Sequence, residues 1–466
     1  MAFNSTPQDI IEQNINGLLD IHRSWKRVPL ALVSDVKNGF AFKSTLFNNQ
    51  GEGERLIRIR DVLPGDTKTY YSGMVPDGYW VNPDDIVVGM DGDFNLACWQ
   101  SRPALLNQRV CRLDVTSQSY IKRFFYRVLP GYIEAVNLNT SSTTVKHLSS
   151  KTLSELLIPL PPLAEQKVIA DKLDTLLAQV ENTKVRLERI PQILKRFRQS
   201  VLAAAVSGRL TEEWREHNSS QFPYENRKLS EIIHEMRNGL SPKPNEDGRG
   251  HPILRISSVR PFSLDQIDIR HLEVSEKDKE RYSLQPDDLL FTRYNGSIEF
   301  VGVCARVSQL NHDTLLYPDK LIRVRVDKAQ VIPEFLEIFA ASLEAREYIY
   351  SLVKSTSGQK GISGKDLKLM KVALPTVSEQ TEIVHQVDQL FAHADRIEQQ
   401  VNNALARVNN LTQSILAKAF RGELTEQWRK DNPELISGEN RAAALLERIK
   451  AERAAVAKPK RRKANA

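Results

Sequence analysis

The chain contains the same long segment twice, and this repetition limits its possible folds more than any other feature. Residues 165–215 begin with Glu-Gln and end with Gly-x-Leu-Thr-Glu-x-Trp-Arg, and residues 379–429 begin and end in the same way. The offset between the copies is constant, because Glu165 corresponds to Glu379 and Arg215 to Arg429. A duplicated element of this length predicts two structurally equivalent halves related by near-twofold symmetry.

The segments outside these two copies repeat more loosely. The offset between corresponding residues changes from one motif to the next, which indicates insertions and deletions. The order along the chain is therefore variable domain, fixed helix, variable domain, fixed helix. We expect the fixed segments to provide the architecture and the variable ones to provide specificity. The corresponding motifs are Asn38-Gly39 and Asn238-Gly239, Leu56–Val62 and Ile253–Val259, and Pro83–Val87 and Pro286–Leu290.

Each fixed segment contains the apolar pattern of a long helix. The predicted helices cover residues 162–207 and 376–421, each bounded by proline before it and glycine after it. Apolar residues recur at alternating steps of three and four, which is the seam of a coiled coil, so we expect the two helices to pair antiparallel. Pro191 should kink the first helix. The predicted seam residues are Ile169, Leu173, Leu176, Val180, Leu187, Ile190, Leu194, Phe197, Ile383, Val387, Leu390, Ile397, Val401, Val408 and Leu411.

Composition places the chain among ordinary globular proteins. Its 466 residues, 41% hydrophobic and 26% charged, suffice for two or three domains. No apolar run approaches the ~18 residues that a membrane helix needs, and the N-terminus lacks the pattern of a secretion signal. Cys98, Cys111 and Cys304 show no CxxC spacing, which favours a reducing cytosol over a disulfide framework or a zinc site. We therefore expect a cytoplasmic protein that does not associate with membranes.

The net charge of +7 comes mostly from one C-terminal tail, which we expect to be disordered. Global charge is therefore weak support for nucleic-acid binding. A second basic stretch, from Lys184 to Arg198 on the first predicted helix, is by itself more typical of a solvated helix face. The cations of the tail are Lys458, Lys460, Arg461, Arg462 and Lys463.

The sequence lacks the motifs of a catalytic site. Gly51-x-Gly53 lies in a polar stretch rather than after a strand, and Gly358–Lys365 fails the spacing of a phosphate loop. The Pro-Asp-Asp motifs could pair acids as nucleases do, but each leads into an apolar strand, so we interpret them as turns. The histidines form no HExxH motif, which argues against a metal site. The Asp/Asn-Pro-Pro-Tyr/Phe tetrapeptide of amino-methyltransferases is also missing.

These features together resemble the specificity subunits of Type I restriction–modification systems, and their enteric-bacterial branch in particular. The resemblance covers nearly the whole chain. It rests on Ile158–Gln166 and Leu374–Gln380 before the helices, and on Leu202–Thr211 and Leu416–Thr425 at their ends. It implies an α+β fold, in which two long antiparallel coiled-coil helices separate two globular, mixed α/β target recognition domains with a pseudo-twofold internal repeat.

The predicted boundaries combine the repeat with this resemblance. Residues 1–25 form an N-terminal amphipathic segment, in which a helix begins at Thr6-Pro7. Its apolar face consists of Ile10, Ile11, Ile15, Leu18 and Leu19. The other boundaries are 26–150 for the first recognition domain, 151–215 for the first helical spacer, 216–225 for a linker, 226–370 for the second recognition domain, 371–429 for the second helical spacer, and 430–466 for a C-terminal helix and the basic tail.

The resemblance also implies a function. Each recognition domain would read one half of a bipartite, asymmetric target in double-stranded DNA. The helices would set the spacer between the half-sites and dock two methyltransferase subunits that use S-adenosylmethionine. Restriction subunits would join in the full complex with ATP and Mg²⁺, whereas this chain would be non-catalytic and bind no cofactor or metal itself. Two alternatives stay open: a self-contained DNA methyltransferase or nuclease, and a coiled-coil scaffold whose globular heads bind proteins.

Sequence-specific binding requires polar and basic side chains on loops of both variable domains, because arginine binds guanine edges and asparagine binds adenine edges bidentately. For any single candidate, a surface charge or a phosphate contact is the simpler interpretation. The DNA-binding candidates are Arg58, Arg60, Arg109 and Lys146 in the first domain, and Arg255, Arg293, Asn295, Lys320 and Lys360 in the second.

Overall fold

A computed structural model describes residues 6–140, 146–220, 222–356 and 359–457. The predicted basic tail from Lys458 to Lys463 and Gly358 of the glycine-rich segment lie outside these residues. The chain divides into two compact units, and both divisions fall within long helices. Unit 1 consists of Met1–Arg186 with Ala404–Ala466, and unit 2 of Leu187–Asn403.

The helices of the described ranges are α1 (Pro7–Gln13), α2 (Leu30–Val33), α3 (Lys122–Leu138), α4 (Ser150–Glu155), α5 (Leu163–Val206), α6 (Glu212–Asn218), α7 (Glu276–Tyr282), α8 (Pro333–Ala341), α9 (Leu343–Leu352), α10 (Gly364–Lys368), α11 (Val377–Phe420), α12 (Glu426–Asp431) and α13 (Ala442–Ala457).

The strands of unit 1 are β1 (Lys26–Pro29), β2 (Ser34–Asn38), β3 (Phe47–Asn48), β4 (Glu54–Ile57), β5 (Tyr70–Tyr71), β6 (Trp80–Val81), β7 (Ile86–Gly89), β8 (Leu96–Cys98), β9 (Ala104–Leu106), β10 (Val110–Val115) and β11 (Leu157–Leu160). Those of unit 2 are β12 (Glu225–Lys228), β13 (Ile233–Asn238), β14 (His251–Leu254), β15 (Val259–Arg260), β16 (Ser263–Leu264), β17 (Ile269–Leu272), β18 (Leu289–Thr292), β19 (Tyr294–Asn295), β20 (Cys304–Arg306), β21 (Leu321–Val326), β22 (Lys354–Thr356), β23 (Gln359–Gly361) and β24 (Lys371–Leu374).

The two units contain the same central sheet. Its strand order is β2-β10-β7-β8 in unit 1 and β13-β21-β18-β20 in unit 2, and the neighbouring strands pair antiparallel. Each unit also joins the strand before this sheet to the strand before a long helix, as β1-β11 and β12-β24. These shared topologies confirm the predicted mixed α and β fold with an internal repeat.

The repeated Pro-Asp-Asp motifs form the same tight turn in both units. Asp84 has a φ of 69° and Asp287 a φ of 71°, a conformation that aspartate tolerates better than most residues. The following aspartates close the turn, because Asp85 accepts a hydrogen bond from the backbone of Asn82 at 2.8 Å and Asp288 one from that of Gln285 at 2.8 Å. The interpretation of these motifs as structural turns is therefore confirmed.

The repeated Asn-Gly motifs lie where the chain leaves the first strand of each sheet. A Cβ atom on Gly39 would lie 2.0 Å from the carbonyl oxygen of Asn107, and one on Gly239 would lie 2.2 Å from that of Tyr317. Only glycine lets the two backbones approach so closely. The same crossing of strands is thus built at both positions.

The long helices α5 and α11 each contain 44 residues. Pro191 lies inside α5, which continues on both sides of it. In unit 2 the helices run antiparallel, since Arg198 bonds Asp395 at 2.6 Å while the later Thr211 bonds the earlier Glu379 at 2.7 Å. In unit 1, Glu165 meets Thr425 at 2.7 Å in the same sense. The predicted antiparallel pairing is therefore present in each unit.

The predicted seam residues are buried or half-buried with one exception. Leu411 is 47% exposed, so its assignment to the seam is wrong. The neighbouring Thr412 is half-buried instead, between Val408 and the buried Ile415. A straight helix has 3.6 residues per turn and drifts out of a strict heptad register, which explains the change by one residue.

The Glu-Gln pair that starts each copy ties its helix to the adjoining domain. The side-chain oxygen of Gln166 accepts from the backbone of Ile121 at 2.9 Å, and that of Gln380 accepts from the backbone of Ile332 at 2.9 Å. The neighbouring glutamates, both fully buried, bind the other end of the repeat. Glu165 pairs with Arg429 at 2.6 Å, and Glu379 with Arg215 at 2.7 Å.

The chain ends of unit 1 also pack on its domain. Thr6 caps α1, as predicted, and Ile10, Leu18 and Leu19 are buried. Ile15 is 55% exposed, because α1 ends at Gln13, so its assignment to the apolar face is wrong. At the other end, α13 buries Leu445 and Ile449. None of the helices in the described ranges is long and apolar enough to cross a membrane.

Candidate nucleic-acid interface

The five candidates of unit 2 lie together. Arg255 follows β14, and Lys320 precedes β21. The backbone nitrogen of Arg293 donates to the carbonyl of Lys320 at 2.7 Å, and Arg293 in turn accepts from Ile362 at 3.0 Å. Asn295 pairs directly with Lys360 between β19 and β23. Loops that are distant in sequence thus meet at one edge of the domain.

A groove of about 400 Å³ opens at this edge. Its lining includes Arg255 and Lys320, together with two cations that the sequence did not single out, Lys243 and Arg270. Glu246 bonds Arg270 at 2.9 Å and approaches Arg255 at 3.5 Å, whereas Lys320 is exposed. The four cations outnumber Asp319, the one acid in the lining, and the resulting positive surface suits phosphate groups.

Three of the four candidates of unit 1 occupy the same positions in its fold as candidates of unit 2. The backbone nitrogen of Met90 donates to the carbonyl of Arg109 at 2.9 Å, just as Arg293 donates to Lys320. Met90 accepts from Leu148 at 2.7 Å, just as Arg293 accepts from Ile362. Counting back two residues from Leu148 and from Ile362 shows that Lys146 corresponds to Lys360.

Arg58 and Arg255 form a further equivalent pair. Each precedes a short 3₁₀ helix, and its backbone nitrogen donates to a side chain three residues later, Asp61 at 2.9 Å or Ser258 at 3.2 Å. The two units therefore present three matched cationic positions: Arg58 with Arg255, Arg109 with Lys320, and Lys146 with Lys360.

The side chains of the candidates differ in their exposure and in their interactions with neighbouring residues. Arg58 and Lys320 are exposed, and Arg60 is exposed beside Asp61, 3.8 Å away. Arg109 is 56% exposed and pairs with Asp91 at 3.1 Å. The remaining interactions are as follows: Lys146 donates to the side chain of Asn137 at 2.7 Å, Arg255 pairs with Asp268 at 3.2 Å, Arg293 lies 4.7 Å from the ring centre of Tyr294, and Asn295 accepts from the backbone of Ser297 at 3.0 Å.

Comparison with known proteins identifies the family of this chain. The profile of the Type I restriction modification DNA specificity domain matches residues 22–192 and 223–407, more than half of the chain. The chain belongs to this family. The specificity subunit of the Type I restriction enzyme EcoBI from Escherichia coli is 52% identical over 98% of each chain. That of EcoKI from Escherichia coli strain K12 is 49% identical over 92% of this chain and 96% of the relative.

Solved structures of the Type I family share the fold. A chain of a type I R-M system, solved to explain complex assembly and conformational transition, has a TM-score of 0.62 at 17% identity, covering 87% of this chain and 99% of that chain. The HsdS subunit from Thermoanaerobacter tengcongensis has a TM-score of 0.53 at 16% identity, covering 87% of this chain and 98% of that chain. The predicted family and fold are therefore both confirmed.

Sequence reasoning about this Type I family member missed Lys243 and its counterpart Lys43. Both lysines follow the glycine of a repeated Asn-Gly motif by four residues, and both are exposed. That spacing was the available signal. Arg270 offered no such signal, because it lies on β17, which pairs with β14 only in the folded chain.

The two aspartates that precede β18 form ion pairs within the fold. Asp288 binds Arg325 at 2.6 Å, and Asp287 binds Arg306 at 2.9 Å. A hydrogen bond from Lys328 is the main reason that the pKa of Asp287 lies below its usual value. Within the described part of the chain, no group of three or more His, Cys, Asp or Glu residues could hold a metal ion.

Gly51-x-Gly53 also has a structural explanation. A Cβ atom on Gly53 would lie 2.1 Å from the carbonyl oxygen of Tyr71, the residue that β5 places opposite β4. Gly53 has a φ of 85°, which favours glycine as well. This motif therefore belongs to a turn of the sheet.

Proposed function

We propose that this chain is the DNA specificity subunit of a Type I restriction–modification complex, with each unit reading one half of a bipartite, asymmetric target. The observation that carries the proposal is the matched set of cationic positions, Arg58 with Arg255, Arg109 with Lys320 and Lys146 with Lys360, at the same edge of the same fold in both units. Cations at one edge neutralise DNA phosphates. The loops around them differ between the units, so each unit can contact a different set of base edges.

We further propose that the chain is non-catalytic, lies in the cytoplasm and acts through partners. Two methyltransferase subunits that use S-adenosylmethionine would dock on the helices, and restriction subunits with ATP and Mg²⁺ would complete the assembly. Family membership supports this arrangement, because the relatives named above are specificity subunits of Type I restriction enzymes. The antiparallel helix segments, whose lengths repeat in both copies, support a role of the helices in setting the spacer.

A methylation assay tests the proposal against its alternatives. The purified chain, alone and together with its methyltransferase partner, is assayed for methylation of DNA. In cells that express the pair, single-molecule sequencing of the DNA maps the methylated adenines. We expect an asymmetric motif of two short half-sites with a fixed spacer, methylated only when both proteins are present. Methylation by the chain alone would favour a self-contained enzyme. Failure of the pair to bind or modify any DNA would favour a protein-binding scaffold.

A further inference from the structure

A hairpin in unit 2 ends in a phenylalanine with an unusual backbone. Strands β15 and β16 pair as Val259 with Leu264 and Arg260 with Ser263, so Pro261 and Phe262 form the two-residue turn. Phe262 has a φ of 57°, a region that bulky side chains rarely occupy. A strained phenylalanine at a turn persists only where its side chain makes a contact that compensates.

That contact is with the helix pair of the same unit. The rings of Phe262 and Phe391 lie 5.4 Å apart between centroids and cross at 87°, the edge-to-face arrangement that aromatic pairs prefer. Phe391 lies on α11 close to Asp395, which binds Arg198 of α5. The tip of the hairpin therefore touches the helices where the two segments are joined by an ion pair.

The other end of the hairpin is fixed to the recognition domain. Val259 is fully buried in the domain, and the guanidinium of Arg260 lies 4.6 Å from the ring centre of Phe300. A cavity of about 640 Å³ lies beside the contact and is lined by residues of the helices and of the domain, including Phe262, Phe391 and Phe300. The domain meets the helices across a gap here, and the aromatic pair bridges it.

The first repeat has neither the hairpin nor the aromatic pair at the corresponding residues. Val62-Leu63-Pro64-Gly65 corresponds to Val259-Arg260-Pro261-Phe262, and Gly65 has a similar φ of 64°. Glycine adopts this conformation without strain and has no side chain that could reach a helix. The helix residue equivalent to Phe391 is Leu177, which is half-buried. The backbone of the hairpin is not repeated, because Val62 is helical (φ −63°, ψ −57°) where Val259 is extended and the backbone nitrogen of Gly65 donates to the carbonyl of Asp61 at 3.1 Å. Of the two copies, the second carries the aromatic pair.

We propose that Phe262 is a positioning residue, whose contact with Phe391 braces the second recognition domain against the helices and narrows the range of spacer lengths that the complex accepts. The inference rests on the proposed function. A spacer longer by one base pair moves a half-site by about 3.4 Å and rotates it by about 35°. The domain must tilt on the helices to follow it, and the aromatic pair opposes that tilt.

The test uses the full chain assembled with its methyltransferase partner. Duplexes carry the natural target with its own spacer, or with a spacer one base pair shorter or longer. The measured quantity is the methylation rate on an altered spacer divided by the rate on the natural one. For Phe262→Gly, which copies the residue of the first repeat, we expect this ratio to rise about three- to tenfold. The preferred bases in both half-sites should not change.

Further variants separate a brace from a general effect on folding. Phe391→Leu copies Leu177 and should raise the ratio as Phe262→Gly does, and the double variant should add nothing more. Phe262→Tyr keeps the ring contact and should restore the natural ratio. Leu63→Ala, at an exposed position of the unbraced turn, should leave the ratio unchanged.

An unchanged ratio in both Phe262→Gly and Phe391→Leu would overturn the inference, and so would an unmodified complex that methylates all three spacers at the same rate. If a variant only lost folded protein, its methylation rates on the natural, shorter and longer spacers would fall together and the ratio would stay the same. That result would also count against the brace. If the unmodified complex methylated no bipartite duplex, the proposed function would fall first.

Discussion

Two buried glutamates explain why the ends of the repeat are so similar. Glu379 accepts hydrogen bonds from Thr211 at 2.7 Å and Tyr224 at 2.7 Å, and it pairs with Arg215. Glu165 receives the equivalent bonds from Thr425 and Arg429, with Trp25 in the place of Tyr224. The threonine and arginine of each Leu-Thr-Glu-x-Trp-Arg sequence therefore donate hydrogen bonds to the buried carboxylate at the start of the other long helix.

Loss of the charge at Glu379 should destabilise unit 2. Burial raises the pKa of this carboxyl, but the bonds from Tyr224, Arg215 and Thr211 outweigh it and the pKa lies below its usual value. Because Glu379→Gln leaves Arg215 buried without a charged partner, we expect the free energy of unfolding to fall by about 3 kcal/mol at neutral pH. Urea denaturation measures it. Glu216→Gln, at an exposed position of α6 in the same unit, should cost less than about 0.5 kcal/mol.

The same carboxylate predicts how stability depends on pH. A carboxyl with a lowered folded pKa contributes stability above its unfolded pKa of about 4.3 and loses it as pH falls through the lower folded pKa. The difference between the unmodified chain and Glu379→Gln should therefore be largest at neutral pH and shrink below about pH 4. Denaturation curves at pH 7 and at pH 3 measure both differences. A gap that stayed constant over this range would show that the charge of Glu379 does not stabilise the fold.

Alanine variants at the matched arginines distinguish base contacts from phosphate contacts. If Arg255 contacts a guanine edge, Arg255→Ala should weaken binding of the cognate duplex by about 1–3 kcal/mol and relax one position of one half-site. If it contacts a phosphate, binding should weaken on all sequences and the salt slope should fall by about one. Arg58→Ala should act in the same way on the other half-site. Lys430→Ala, at an exposed lysine paired with Glu426 at 2.9 Å, serves as the control.

If alanine at all nine candidates left cognate affinity unchanged, the predicted interface would be wrong. Sequence reasoning could not rank these residues, because the offset between partners varies along the chain. It is 197 for Arg58 and Arg255, 211 for Arg109 and Lys320, and 214 for Lys146 and Lys360. Only the backbone bonds of the folded sheet show that these positions are equivalent.

At the scale of elements, hydrophobic periodicity predicted the bounds of the two long helices closely. It misassigned residues whose burial is determined by tertiary packing. The a/d pattern identified α5 and α11, and all of the predicted seam residues except Leu411 are buried or half-buried. It misplaced Leu411, because a heptad template assumes a fixed register. It also placed Ile15 on the apolar face of the N-terminal helix, although Asn14 ends α1 in a left-handed conformation. The role of the Glu-Gln pairs was invisible in the sequence, since their partners are backbone atoms and distant side chains.

The length of the helices should set the spacer of the target. Seven residues inserted between Thr183 and Leu187, and seven between Ile397 and Val401, would preserve the seam and lengthen each helix by ~10 Å. That length corresponds to about three base pairs, which also rotate a half-site by roughly 100°. We expect methylation of the natural spacer to be lost, with at most weak methylation of a longer one.

Methylation rates on duplexes of graded spacer length provide the measurement. Four-residue insertions at the same places are the comparison, because they break the a/d register and should reduce activity on every duplex. If the seven-residue variant methylated the natural spacer at the original rate, the helices would not determine the spacing.

At the scale of the whole molecule, one set of hydrogen bonds between each recognition domain and a long helix does not depend on the domain's side chains. The side chain of Gln380 bonds the backbone of Gln330 and of Ile332, each at 2.9 Å. Gln166 bonds the backbone of Ser119 at 3.3 Å and of Ile121 at 2.9 Å. Because the partners in the domain are main-chain atoms, a domain with different side chains can occupy the same place. This geometry accounts for a variable domain between fixed helices.

Exchange of residues 226–370 for those of a relative should therefore change one half of the methylated motif and leave the other half intact. The incoming domain finds the same main-chain contacts from Gln380, while the first domain keeps its loops and its cationic positions. Single-molecule sequencing of methylated adenines gives both half-sites at once, and the reciprocal exchange of residues 26–150 is the matched control. Donors that carry glycine at the position of Phe262 should in addition accept a wider range of spacers, because they lack the ring that touches Phe391. A single exchange that altered both half-sites would mean that the domains do not read DNA independently.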